Sequence, residues 1–184
     1  MHGGIGHIFF NMFALIMFGS ALEKVWGAQR FLAFYFITAF GAAFLHQFVI
    51  GIQISQLQDG LDLNIISEIK TNGYSLLSGG QNWSDPIMGE LNALYNTPVL
   101  GASGAVFGLL AAYAYYFPNT KLMLLFPPIP IKAKYFVIGY AAIELFSGIS
   151  NRAGDNIAHF AHLGGALFGI ILVLIWKKDT TRFY

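Results

Sequence analysis

The stretch 99-VLGASGAVFGLLAAYAYYF-117 sets a serine between small residues and then runs apolar for about four helical turns. Such a segment suits lipid, yet it begins with the residue arrangement of a nucleophile. The composition supports the lipid setting: the chain is 56% hydrophobic, 16% aromatic and 10% charged, where soluble domains carry about 25% charged residues. Net charge is +1 and no basic cluster alternates with aromatics, so no nucleic-acid partner is expected. The absence of cysteine excludes disulfides, thiolate metal sites and cysteine catalysis.

Five apolar segments can be drawn: 7–25, 31–52, 103–117, 135–149 and 157–176. Segments 31–52 and 157–176 reach the roughly 20 residues that cross a hydrocarbon core, and 7–25 nearly does. The other two are shorter, which is tolerated when their polar ends face protein or an aqueous cavity. The apolar stretch 122–131 carries Pro127, Pro128 and Pro130 and reads as a loop lying in the interface. The expected fold is all-α, a polytopic bundle of five transmembrane helices forming one domain over 1–184. Residues 51–98 read as a long external loop insertion, polar and too long for a simple turn. Within it Leu61, Ile65 and Ile69 recur at helical spacing, which predicts a short amphipathic helix on the membrane surface.

Lysine and arginine set the orientation. Lys24 and Arg30, then Lys121, Lys132 and Lys134, then Lys177, Lys178 and Arg182 fall on one side of these spans. Only Lys70 and Arg152 fall on the other, together with Asp59, Asp62, Glu68, Asp85, Glu90 and Asp155. The first group is expected in the cytoplasm, so the chain would start outside. Its first residues, 1-MHGGIG-6, have no basic n-region to bring it there. A further transmembrane helix is therefore expected upstream of Met1.

His2, His7, His46, His159 and His162 all fall toward the outer ends of their segments, as does Ser103. Polar groups are costly inside a bilayer, so several at one depth point to a shared aqueous site. His46 stands alone near the end of its span and reads as a residue that satisfies a neighbouring helix. In 7-HIFFN-11, His7 and Asn11 sit at i and i+4 on one face, and both offer N–H donors suited to an oxyanion. A His-x3-Asn pair alone is more often interhelical hydrogen bonding. Ser103, at a helix start, has backbone N–H groups and the positive dipole end beside it. Gly101 and Gly104 permit close approach there, and Ser103 can equally be an N-cap.

In 159-HFAHLGGALFG-169, Gly165 and Gly169 share roughly one face with His162, and Gly104 and Gly108 give the serine helix a matching face. Two such faces let helices approach closely. That would set the His162 imidazole near the Ser103 hydroxyl, as a general base for a nucleophile. Packing alone explains the glycines but not a serine and a histidine at their outer ends.

Together, 2-HGGIGHIFFN-11, 23-EKVWGAQRF-31, 101-GASGAVFG-108 and 159-HFAHLGGALFG-169 resemble, in order, the motifs of the rhomboid intramembrane serine proteases. The resemblance covers nearly the whole chain. It implies Ser103 as nucleophile and His162 as general base of a dyad without a carboxylate. It also implies an oxyanion hole of His7, Asn11 and the Ser103 backbone N–H, with Gly101 preceding the nucleophile and His2 in a structural role. The implied fold has six transmembrane helices, five of them in this chain, in a multi-pass protein of the bacterial inner membrane whose site opens to the periplasmic side. The implied substrate is a transmembrane segment entering laterally from the lipid bilayer, and no cofactor or metal is implied.

The serine helix would span about 22 Å against a hydrocarbon core of about 30 Å. Ser103 would then sit below the membrane surface, in a recess reached by the water that hydrolyses an acyl-enzyme. Two other readings compete. Clustered histidines with Asp155 or Glu144 could ligate zinc, with His159 and His162 at i and i+3, but no H-E-x-x-H is present. A rhomboid-like protein that binds transmembrane clients without cutting them would share the fold, although such relatives lose the serine or histidine kept here. Glu144 is expected to pair with another helix, and Trp26, Trp83 and Trp176 suit interfacial anchoring.

Overall fold

A computed structural model describes residues 4–97, 102–124, 127–150 and 159–179, with residues 178 and 179 described by backbone alone. Among the described residues there are seven helices, the first being α1 (Ile5–Trp26). There follow α2 (Ala28–Gln58), α3 (Leu63–Ser78), α4 (Pro86–Tyr95), α5 (Ser103–Tyr116), strands β1 (Lys121–Met123) and β2 (Pro130–Lys132), α6 (Ala133–Ser150) and α7 (His159–Asp179). The architecture is the all-α membrane bundle that the sequence predicts. Three described helices are long and apolar enough to cross a membrane: Ile5–Trp26, Ala28–Gln58 and His159–Lys177. α5 and α6, with 14 and 18 residues, are the two segments that also read as short in the sequence. Phe9, Phe13, Phe36, Phe40 and Phe44 are exposed, as lipid-facing rings are, since acyl chains are as apolar as they are.

The chain divides into two compact units, residues 1–46 with 100–184, and residues 47–99. In the first, α1 contains a widened π-turn over Leu15–Gly19 and stops at Gly27. That residue has φ +77°, a left-handed conformation that only glycine adopts freely, and it starts α2 one residue later. α5 lies in the middle, buried at every residue from Ser103 to Ala112. The chain can build so enclosed a helix because its neighbours are glycine-faced. A Cβ added at Gly165 would lie 1.8 Å from the Gly104 carbonyl oxygen, and one at Gly169 would lie 2.9 Å from that of Gly108. On the α2 side, one added at Gly104 would lie 2.4 Å from Ala42 Cβ, and one at Gly108 would lie 2.8 Å from Thr38 Cβ. The matching small faces of α5 and α7 therefore meet as the sequence predicts. Farther along α5, Leu109 and Ala112 join Leu22, Phe34 and Val173 in an apolar core, with Trp26, Tyr113, Tyr116 and Trp176 packed around it.

The stretch 122–131 differs from the interfacial loop expected of it. β1 and β2 pair antiparallel, with Lys121 opposite Lys132, Leu122 opposite Ile131 and Met123 opposite Pro130. Pairing satisfies backbone groups that would otherwise be costly next to lipid, and Pro130 is tolerated because the ribbon is all edge.

The second unit covers most of the segment read as a loop. α2 runs on to Gln58, and two capped helices follow. Asp62 accepts the Asn64 N–H at 2.7 Å to start α3, and Asp85 accepts the Met88 N–H at 2.9 Å to start α4, with Pro86 in its first turn. Of the predicted stripe, Ile65 and Ile69 lie in α3, where Ile69 and Gly73 are buried, and Leu61 precedes the helix. The two helices are pinned by Asn92, which donates to the Gly73 carbonyl at 3.2 Å and to Asn82 Oδ1 at 2.9 Å.

Candidate functional site

Ser103 is the first residue of α5, and the cap position before it is Ala102, whose methyl group accepts nothing. The N-cap reading of the serine thus gives way to a serine in the first helical turn, beside N–H groups that lack intrahelical acceptors. The same turn packs on α7: a Cβ at Gly104 would lie 3.3 Å from the Ala161 carbonyl oxygen. Four residues on from Ser103, and so on the same face of α5, Phe107 stacks on the His162 ring with centroids 4.1 Å apart and planes at 6°. The structure thus brings Ser103 and His162 to one end of one helix pair. Both are buried, at 5% and 8% exposure.

His162 meets a carboxylate as well. Glu144 of α6, 4% exposed, has Oε2 2.6 Å from His159 Nδ1 and Oε1 3.1 Å from His162 Nδ1. Gly148, one turn on from Glu144, makes room for this: a Cβ there would lie 3.2 Å from His159 Cβ. The expectation that Glu144 pairs with another helix is met by α7. Among the described residues no three side chains are arranged to hold a metal ion.

α1 packs on α5, and Asn11 is its buried polar residue, His7 being half-buried. One Asn11 amide N–H is already engaged, donating to the His7 carbonyl at 2.8 Å, which leaves its second N–H for any other acceptor. His46 is buried at the α2 face that packs on α7, and its Nε2 has no hydrogen-bond partner among the described residues. It does not, in that respect, satisfy a neighbouring helix as predicted. Gly101, His2 and Asp155 lie outside the described residues.

The Rhomboid domain model matches residues 1–58 and 64–178. The chain belongs to the rhomboid family. It is similar to Rhomboid protease AarA of Providencia stuartii, 26% identical over 96% of this chain and 53% of that protein. It is also similar to the mitochondrial Rhomboid protein 1 of Saccharomyces cerevisiae, 28% identical over 92% of this chain and 38% of the other. A third relative is the human mitochondrial Presenilin-associated rhomboid-like protein, 27% identical over 96% and 37%. The chain thus spans about half the length of these rhomboid relatives or less. No solved structure matches it.

Two features of this rhomboid chain escape a reading by sequence alone. Phe107 gave no signal beyond its place one turn after Ser103. Glu144 did give one, since a carboxylate within an apolar span must find partners. Which partners it finds depends on the register of α6 against α7, and local spacing does not carry that register.

Proposed function

We propose that this chain carries the core of an intramembrane serine endopeptidase that cuts transmembrane segments of other membrane proteins. The observation that supports it most is the meeting of α5 and α7 beside Ser103, through Gly104 with Ala161 and Phe107 with His162, in a rhomboid chain. In this reading Ser103 Oγ attacks the scissile carbonyl carbon while His162 Nε2 takes its proton. The resulting oxyanion accepts hydrogen bonds from the Ser103 backbone N–H, His7 and the second N–H of Asn11, each donor contributing about 3–4 kcal/mol. His162 then returns the proton to the leaving amine as the C–N bond breaks. Water, deprotonated by His162, releases the acyl group and restores the serine. Gly101 keeps the approach to the nucleophile open. The basic residues after α1, after α5 and at the end of α7 favour a Ser103 end that faces the periplasmic side of a bacterial inner membrane.

The test is cleavage of a tagged single-span membrane protein by the purified full-length protein in proteoliposomes. Two fragments are expected, and Ser103→Ala and His162→Ala should each lower the rate by about 10³-fold or more. Substrate that co-purifies uncut would favour the client-binding alternative. Undiminished cutting by both variants would refute the dyad.

A further inference from the structure

We propose that Glu144 is a positioning residue for His162, turning the Ser103–His162 pair into a three-membered relay whose carboxylate is held from behind by His159. The proposal rests on the serine-protease reading above and specifies how its base is held. Glu144 lies among apolar neighbours in 141-AAIELFSGI-149, where an unpaired carboxylate would be expensive. Its two oxygens address two imidazoles one helical turn apart. The 2.6 Å contact from His159 Nδ1 lies at the short end for a hydrogen bond between a ring N–H and a carboxylate and fixes the carboxylate. The other oxygen is then left 3.1 Å from His162 Nδ1.

The atom it reaches matters. A carboxylate at Nδ1 keeps the proton on that nitrogen and leaves the Nε2 lone pair for the serine. The same negative charge stabilises the imidazolium that forms when His162 accepts the Ser103 proton. The Nδ1–H of His162 points off the line to Oε1, so the contact is an ion-pair approach rather than a formed hydrogen bond, and Nδ1 has no other partner among the described residues. Catalytic hydrogen bonds are often long or poorly aligned in the free enzyme and tighten only when substrate binds. Phe107 stacked on the opposite element fixes the plane of the ring, and Glu144 fixes its rotation within that plane. A histidine free to flip would meet the serine with the wrong nitrogen.

The test uses a tagged fluorophosphonate on the full-length protein in lipid nanodiscs. Ser103 Oγ attacks phosphorus, fluoride leaves and the serine proton passes to His162, so labelling reads the base without a known substrate. Glu144→Gln keeps the shape and removes the charge, and Glu144→Met suits the apolar span and guards against misfolding. In both, the saturating labelling rate should fall about 10²–10⁴-fold with the half-saturating probe concentration unchanged, and Glu144→Gln, which keeps an acceptor for His159, should also keep the wild-type thermal midpoint. A folded variant that labels at the wild-type rate would overturn the proposal. So would loss of folding in both, which would make Glu144 a structural pair. A wild-type protein that does not label at all would instead overturn the serine-protease reading on which the proposal rests.

Discussion

At one end of the α5–α7 pair, Trp26, Phe34, Tyr116 and Trp176 fill the space around Leu22, Leu109 and Val173. At the other, Gly104, Gly108, Gly165 and Gly169 let the two backbones touch, and the buried polar residues Ser103, Glu144 and His162 gather. The contrast reflects what holds helices together in lipid. Burying apolar surface gains little there, because acyl chains solvate it as well as protein does; shape fit and hydrogen bonds remain. Rings supply contact area and tolerate adjustment. Glycines supply approach and tolerate none. Short polar side chains can meet across helices only where the backbones are this close, so the site lies at the glycine end.

The sharpest way to break the contrast is Gly165→Val. Its new Cβ would enter the Gly104 carbonyl oxygen, with backbone on both sides and no rotamer to relieve it. A destabilisation of about 3 kcal/mol or more is expected in an unfolding titration, together with loss of fluorophosphonate labelling. Phe34→Ala probes the other end. It removes a ring with 0% exposure and should cost about 1–3 kcal/mol, less than the 3–5 typical of soluble cores. The labelling rate per folded molecule should stay at the wild-type value. If it falls as far as in the Gly165 variant, the two ends are one mechanical unit and the contrast fails. Phe107→Leu lies between them in kind and below them in size. Losing the stack on His162 should slow labelling by about 2–10-fold, the equivalent of about 0.5–1.5 kcal/mol, with little change in stability.

The glycine end was legible in the sequence because a small residue at every fourth position marks a face, and two marked faces with polar residues at matching ends predict their own pairing. The segment 51–98 was less so. Its helices meet through Asn92, which reaches Gly73 and Asn82, and through only a few buried apolar residues such as Ile69 and Leu91, so a scan for apolar runs passes over α4. The signals were nevertheless there, in Asp62 and in the pair Asp85–Pro86, a cap followed by a first-turn proline. The Glu144–His162 approach was not legible in the same way. Residues 144 and 162 lie on different helices, and the spacing within either helix does not carry the register of one against the other.

The wide turn at Leu15–Gly19 has a consequence for how this chain tolerates change in length. A π-turn holds one residue more than the helix around it needs, so the sequence before it runs about 100° out of phase with the sequence after it. Deleting a single residue there would leave every side chain of both halves intact and regularise the hydrogen bonding. It would also rotate Asn11 away from α5 while Leu22 stayed in place. A gap in an alignment at this point would therefore mark a changed site rather than a neutral trim.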